Sequence, residues 1–299
     1  MLIQVLRRGS AALAGAAALM LLGAPGAVSD PTPAEGAIAG GTVVSGTFDA
    51  LVFTDVDGGA NHTLALTPDG RAYAWGSGQY GQLGNGDTSE ALRPVLVSSP
   101  PGVSFVAITA GQWHSLALGS DGQVYAWGEG LGGKLGTGTS DDSAVPVPVI
   151  APPGVSFTAV SAGDLHSLAL GSDGQVYAWG VGGLGNGNTF GSDVPVPVSA
   201  PAGVSFTAIS AGLTHSLALG SDGQTYAWGR GAGGVLGTGS TSDALVPVLV
   251  SAPSGVSFTT ITAAEHSLAL GSDGQTYAWG RGAAGQLGTG TTSGSAVPV

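Results

Sequence analysis

"HSLALGSDGQVYAWG" (His114–Gly128) recurs letter for letter at His166–Gly180. "HSLALGSDGQTYAWG" follows at His215–Gly229 and again at His266–Gly280, and a looser copy, "HTLALTPDGRAYAWG", stands at His62–Gly76. The five histidines that open these copies are all the histidines in the chain, and they lie 52, 52, 49 and 51 residues apart. A period near 50 marks a repeat architecture, in which each unit buries its apolar surface against its neighbours, so the repeat sets the organisation rather than the total length.

Each repeat reads as four short strands. "PVLV" (Pro94 to Val97) is a short extended segment, and after a proline-containing turn "VSFVAITAG" (Val103 to Gly111) is rich in β-branched and aromatic residues. "HSLAL", the turn "GSDG" and "QVYAWG" then read as a hairpin, because Asp-Gly tolerates the backbone angles that match strand twist. Alternation places His114, Leu116 and Leu118 on one face, as it does Tyr125 and Trp127 within their own strand, with Ser115, Ala117, Val124 and Ala126 on the other. Neither face is charged, so both must be covered, one face being large and the other small. Stacked propeller blades meet that demand. Pro94, Pro146, Pro195, Pro247 and Pro298 belong at a free edge or a strand start, since proline has no N–H to donate to an inner ladder.

The string H-S-L-A-L-x-x-D-G-x-x-Y-A-W-G, followed by G-x-L-G-x-G as at Gly133–Gly138, resembles the repeat of the regulator of chromosome condensation family, in a secreted bacterial form. That resemblance covers about Val52 to Val299 and implies an all-β fold, a β-propeller of about five four-stranded antiparallel blades. The WD repeat would have Trp-Asp where this chain has Trp-Gly, and the kelch repeat a glycine pair ahead of its Tyr and Trp. The family is usually seven-bladed, so two readings stand side by side. In one, the spare "AVPV" (Ala296 to Val299) completes a first blade that lacks its "PVxV" strand and closes a five-bladed ring. In the other, the five copies are part of a larger ring in a truncated sequence.

The first residues differ from the rest. Arg7 and Arg8, an apolar run from Ala11 to Leu22 and the small-x-small "AVS" (Ala27 to Ser29) follow the plan of a cleavable export signal. The apolar run is short of the roughly 20 residues that span a bilayer, so a membrane is expected only if the segment stays uncleaved. The arginine pair by itself is weak support for the twin-arginine route. The expected organisation is a signal peptide at 1–29, a flexible linker at 30–47 and the propeller at 48–299, in an extracellular, periplasmic or envelope location.

Cleavage after Ser29 removes two of seven basic residues and none of nineteen acidic ones, giving 5 − 19 = −14. A surface of that sign repels a phosphate backbone, so no nucleic-acid partner is expected. With no cysteine in the chain, disulfides and thiolate metal sites are excluded.

His62, His114, His166, His215 and His266, with Ser after four of them and Asp seven residues on in all five, invite a metal or catalytic reading. Catalytic sites are single, whereas these positions are copied, so a structural role with a bond to backbone inside the blade is expected. Trp75, Trp127, Trp179, Trp228 and Trp279 are likewise repeat packing. "DVDGGAN" (Asp55 to Asn61) and the Asp-Gly pairs lack the 12-residue spacing of a calcium loop. The G-x-L-G-x-G runs, such as "GGLGNG" at Gly182 to Gly187, lack the Lys-Ser/Thr ending of a phosphate loop. No cofactor, metal or catalytic residue is expected, and no convincing non-repeated acid pair points to an enzyme acting on polysaccharide.

What remains after subtracting the repeat is Phe48, Tyr80, Trp113 and Phe190 among the aromatics, and the variable pairs before each histidine: "AN", "QW", "DL", "LT" and "AE". Variable positions on a constant frame suit a binding surface, and Trp and Tyr are enriched at interface hot spots. The candidate binding residues are therefore Trp113, Tyr80, Phe190, Gln112, Asp164, Leu213 and Glu265, for an unidentified protein or cell-surface macromolecule. An inhibitor of an exported enzyme is the narrower alternative, implied by likeness to a secreted propeller inhibitor of β-lactamases. A guanine-nucleotide exchange regulator, the founding activity of the family, is the other.

Overall fold

The structure, a computed structural model, describes residues 51–299. The expected signal peptide, the linker and Phe48 lie outside the described residues. Blade one is β1 (Asp55–Gly58), β2 (His62–Leu66), β3 (Ala72–Gly76) and β4 (Ala91–Leu96). Blade two is β5 (Phe105–Ala110), β6 (His114–Gly119), β7 (Val124–Gly128) and β8 (Ser143–Pro148). Blade three is β9 (Phe157–Ala162), β10 (His166–Gly171), β11 (Val176–Gly180) and β12 (Ser192–Pro197). Blade four is β13 (Phe206–Ala211), β14 (His215–Gly220), β15 (Thr225–Gly229) and β16 (Ala244–Leu249). Blade five is β17 (Phe258–Ala263), β18 (His266–Gly271) and β19 (Thr276–Gly280), with Ser295–Val299 as its fourth member. All pairings are antiparallel between strands consecutive in sequence, which makes five four-stranded blades set in a ring around a common axis. The first strands of consecutive blades pack on one another about that axis.

The Pro-Val strands do not open the repeats. Each closes the blade of the hairpin before it: Tyr125 lies opposite Pro148 and Ala126 opposite Val147. Blade one therefore supplies its own outer strand. The last strand belongs to blade five, where Ala278 and Val299 exchange backbone hydrogen bonds of 3.0 Å. Blade completion by strand exchange between the ends is thereby overturned. A segment joined to its hairpin by a short Gly-rich loop pairs more cheaply than one from the far end of the chain. On β4, β8, β12 and β16 the prolines sit at the outer edge, where the missing N–H costs no ladder bond.

Hairpin register also corrects the expected division into a large and a small face. Ser115 lies opposite Trp127, Ala117 opposite Tyr125 and Leu116 opposite Ala126. Opposed residues share a face, so Trp127 and Tyr125 join Ser115 and Ala117, while His114, Leu116 and Leu118 join Val124 and Ala126. Each face thus carries large residues from one strand and small ones from the other. The two faces interdigitate when blades stack, and Leu64, Leu66 and Ala74 of blade one bury against Phe105, Tyr125 and Trp127 of blade two. Each fully buried leucine of this kind contributes roughly 1.5–3 kcal/mol.

The hairpin turn explains the Asp. Gly122 N–H donates to Gly119 O at 3.0 Å, and Gly122 takes φ +78°, the left-handed region glycine fills at no steric cost. Asp121 accepts from the N–H of Gln123 at 3.1 Å and from the Tyr125 hydroxyl at 2.8 Å. Tyr177–Asp173 at 2.8 Å, Tyr226–Asp222 at 2.7 Å and Tyr277–Asp273 at 2.8 Å repeat the bond. Burial, followed by this carboxylate, pushes the Tyr125, Tyr177 and Tyr226 hydroxyls up to about 12.

Candidate functional site: the variable end of the propeller

Within each hairpin the histidine pairs with the glycine of Trp-Gly, so every blade has two unlike ends. One end carries the Asp-Gly turns and the Pro-containing loops, nearly constant from copy to copy. The other carries the histidines, the pair before each, and the loops that follow Trp-Gly, and there the sequence changes.

The histidines are joints between blades. His62 Nε2 lies 2.8 Å from Ser115 Oγ, His114 Nε2 2.9 Å from Ser167 Oγ, His166 Nε2 2.8 Å from Ser216 Oγ and His215 Nε2 2.8 Å from Ser267 Oγ. The partner is thus the next blade's serine rather than backbone of the same blade, a correction to the expected role. Ser115 in turn donates to Gln82 O at 2.9 Å, and the Trp127 indole donates to that same carbonyl at 2.9 Å. With the serine proton directed to a loop carbonyl at Ser115 and Ser167, the serine oxygen accepts from Nε2–H of His62 and His114, whose buried Nδ1 atoms have no hydrogen-bond partner. Burial holds His62 and His166 down to about 4 and His215 to about 3, and His114 well below the ordinary value. Among the described residues no group of three or more His, Asp or Glu could hold a metal ion.

A second ring of bonds runs about the axis. Asp57, Thr109, Ser161 and Ser210 each accept from a backbone N–H of the following blade, at Ala110, Ala162, Ala211 and Ala263, over 2.9 to 3.2 Å. Burial raises Asp57 to about 6, against the lowering effect of those bonds.

Between these rings opens the axial mouth, a cavity of about 410 Å³ lined by the ends of the first strands and by Gln112, Asp164, Leu213 and Glu265. Four of the seven candidate residues, which lie up to 153 residues apart by number (265 − 112), therefore meet at one opening. Trp113 and Tyr80 form an edge-to-face pair, ring centres 5.5 Å apart and planes at 71°, both rings half-buried. Phe190 is not brought to the mouth. It stands 77 % exposed on the loop joining β11 to β12, at the same end of its blade.

Other side chains here were not singled out from the sequence. Lys134 is buried, paired with Glu129, its ammonium 3.5 Å from Asp164 O. Arg230 and Arg281 line a cavity beside the mouth with Leu213, Thr214 and Glu265. Glu129, Arg230 and Arg281 all directly follow Trp-Gly, where other copies have Ser77 and Val181. That single-position variation was the available signal. Three of the five basic residues beyond Ser29 gather at this otherwise acidic end. Blade three departs differently: its loop is shorter, and the Trp228 indole N–H, buried like the others, finds no acceptor. No helix among the described residues is long and apolar enough to cross a membrane.

Five consecutive segments, residues 69–118, 121–170, 173–219, 222–270 and 273–299, match the regulator of chromosome condensation (RCC1) repeat. A curated relative, the ultraviolet-B receptor UVR8 of Arabidopsis thaliana, is 35 % identical over 245 residues, covering 81 % of this chain and 44 % of its own. Among solved structures, human WBSCR16 superposes with a TM-score of 0.72 at 25 % identity, over 82 % of this chain and 65 % of that one. Prp20p of Saccharomyces cerevisiae, described with its binding properties to Gsp1p and histones, gives 0.69 at 26 %, over 83 % and 62 %. The chain spans less than two thirds of the length of each of these relatives, all of them eukaryotic.

Proposed function

Because the chain belongs to the regulator of chromosome condensation repeat family, we propose that it is a non-catalytic propeller scaffold that binds another protein at its variable end. The observation that carries this reading is the confinement of sequence change to one end of otherwise near-identical blades, where Gln112, Asp164, Leu213 and Glu265 converge on the mouth. A structural position is copied from blade to blade, whereas a contact with one asymmetric partner requires each blade to differ. The Tyr80–Trp113 pair offers a rigid aromatic anchor beside an opening of mixed charge, an arrangement suited to a protein surface. Prp20p, which shares the fold, is described as binding proteins, and that supports a protein partner here.

The compartment rests on the N-terminal sequence. Export as a secreted or envelope-associated protein of bacterial type accounts for Arg7, Arg8, the apolar run and the small residues before Asp30. The acidic charge beyond Ser29 disfavours nucleic acid as the ligand.

The test is affinity capture with the chain recovered from outside the cell, comparing it with Trp113→Ala, Leu213→Asp and, at the constant end, Pro101→Ala. The expected result is a partner lost with the first two substitutions and retained with the third. Equal capture by all forms removes the variable end from the reading, and absence of the chain from the cell exterior removes export.

A further inference from the structure

Beside the mouth, blades four and five enclose a cleft of about 170 Å³, walled by Leu213, Ala232 and Val235 and lined by Arg230, Arg281 and Glu265. The chain has seven basic residues against nineteen acidic ones, and two of the seven meet here. The residue after Trp-Gly is Ser77, Glu129 and Val181 in blades one to three, and only blades four and five place arginine there in succession. Arg71 is paired with Asp69 and the buried Lys134 with Glu129. Among the described residues neither Arg230 nor Arg281 forms an ion pair, with Glu265 or with any other acid. Two uncompensated like charges on one small cleft repel each other, and an arriving anion relieves that repulsion.

The repeat explains how the two side chains are placed. The Arg230 N–H donates to Thr214 O at 3.0 Å, as the Glu129 N–H does to Trp113 O at 2.9 Å, so the backbone follows the copied plan and only the side chain is new. In blade two the turn at Leu131–Gly133 lies over Val181 of blade three, meeting it at Gly132. The matching turn of blade four, Ala232–Gly234, lies over Arg281: a Cβ at Gly233 would fall 3.0 Å from Arg281 Cγ and 3.7 Å from its Nε. Blade three has no such turn, because three residues separate Gly180 from Leu184 where six separate Gly128 from Leu135. None of its glycines meets Arg230 as Gly233 meets Arg281. The stem of Arg281 is thus braced across the joint, while Arg230 is left uncovered on the side of blade three. We propose that this cleft takes an acidic side chain of the partner protein, its carboxylate held between the two guanidinium groups. The proposal rests on the reading of the variable end as the docking face. A planar guanidinium fork matches a carboxylate bidentately. Leu213, Ala232 and Val235 pack the methylenes behind it, and Glu265 on the same cleft repels a phosphate dianion more than a single negative charge.

Nitrogen–proton spectra of the arginine Nε–H groups of the full chain, titrated with N-acetylglutamic acid α-amide at constant ionic strength, read the cleft without the partner. The resonances of Arg230 and Arg281 are expected to move together and saturate, while those of Arg71 and Arg93 stay in place. Arg230→Lys keeps the charge and loses the fork, and is expected to weaken the probe on the order of tenfold. Arg281→Gln is expected to abolish saturation. A uniform drift of all the arginines, an equal response to the glutamine counterpart of the probe, or tighter binding of inorganic phosphate overturns the proposal. In affinity capture, the chain carrying Arg230→Gln and Arg281→Gln together is expected to lose most of the partner. A partner kept by that form and lost with Trp113→Ala overturns the acid subsite and leaves the docking face standing. Saturable probe binding by a chain that captures no partner overturns the assignment to a partner's side chain and leaves a site for a free carboxylate.

Discussion

Mild acid is expected to loosen this propeller at its joints. An unfolded histidine binds its proton near 6.5, but the buried imidazoles of His62 and His166 do so only at about 4 and that of His215 at about 3. Their contribution to stability is therefore complete above 6.5 and is lost as pH falls from there toward 4. At pH 5 each has forfeited about 1.5 × 1.36, or about 2 kcal/mol, hence about 6 kcal/mol for the three. His114 adds to the loss in the same direction, by burial and the nearby charge of Lys134. Asp57 opposes it: burial raises its carboxyl to about 6, so its ionised form strains the fold at neutral pH, and protonation returns roughly 1 kcal/mol by pH 5. A net loss of about 5 kcal/mol is a large share of the 5–15 kcal/mol that stabilises an ordinary domain. Urea denaturation followed by tryptophan fluorescence at pH 7 and pH 5 measures it, since Trp127, Trp179, Trp228 and Trp279 are buried at the joints. Equal midpoints at the two pH values would refute the reasoning, as would imidazole resonances of His62, His166 and His215 that titrate near 6.5 in the folded chain.

The indoles give a paired comparison. Trp127→Phe removes a donor to Gln82 O and is expected to cost about 1 kcal/mol more than Trp228→Phe, whose N–H has no partner to lose, by urea denaturation of the two variants. A second pair tests the loop glycines. A Cβ at Gly136 (φ +68°) would fall 2.8 Å from Trp179 Nε1, while one at Gly154 (φ +77°) meets nothing within 4 Å. Gly154→Ala should then cost only the roughly 1–2 kcal/mol of a left-handed backbone, and Gly136→Ala distinctly more, read as the difference in thermal midpoint.

Much of the architecture is legible along the chain because it is local. The recurrence of His114–Gly128, the Asp121-Gly122 turn and the edge prolines each depend on residues a few positions apart, and they suffice for an all-β fold of hairpin-bearing blades. The candidate residues at the variable end were selected because they differ while their surroundings do not. Alternation within one strand says nothing, however, of which residue stands opposite, and so the register of Ser115 with Trp127 escaped it. The partner of His114 escaped it as well, because Ser167 is 53 residues away and reaches the imidazole only when one blade stacks on another.

What the sequence by itself determined is the unit: four strands, an Asp-Gly hairpin and one Phe, Tyr and Trp per copy, through backbone preferences and apolar periodicity that act over a few residues. Only the tertiary structure decided how units meet. It assigned the Pro-Val strands to the preceding hairpins, made the histidines joints, drew Gln112, Asp164, Leu213 and Glu265 to one mouth and left Phe190 aside. Among the described residues it joined blades one to five in succession without a like joint between the faces of His266 and Trp75. These outcomes follow from the packing of whole blades around an axis, where contacts join residues about 50 positions apart, and no local preference of the chain encodes that distance.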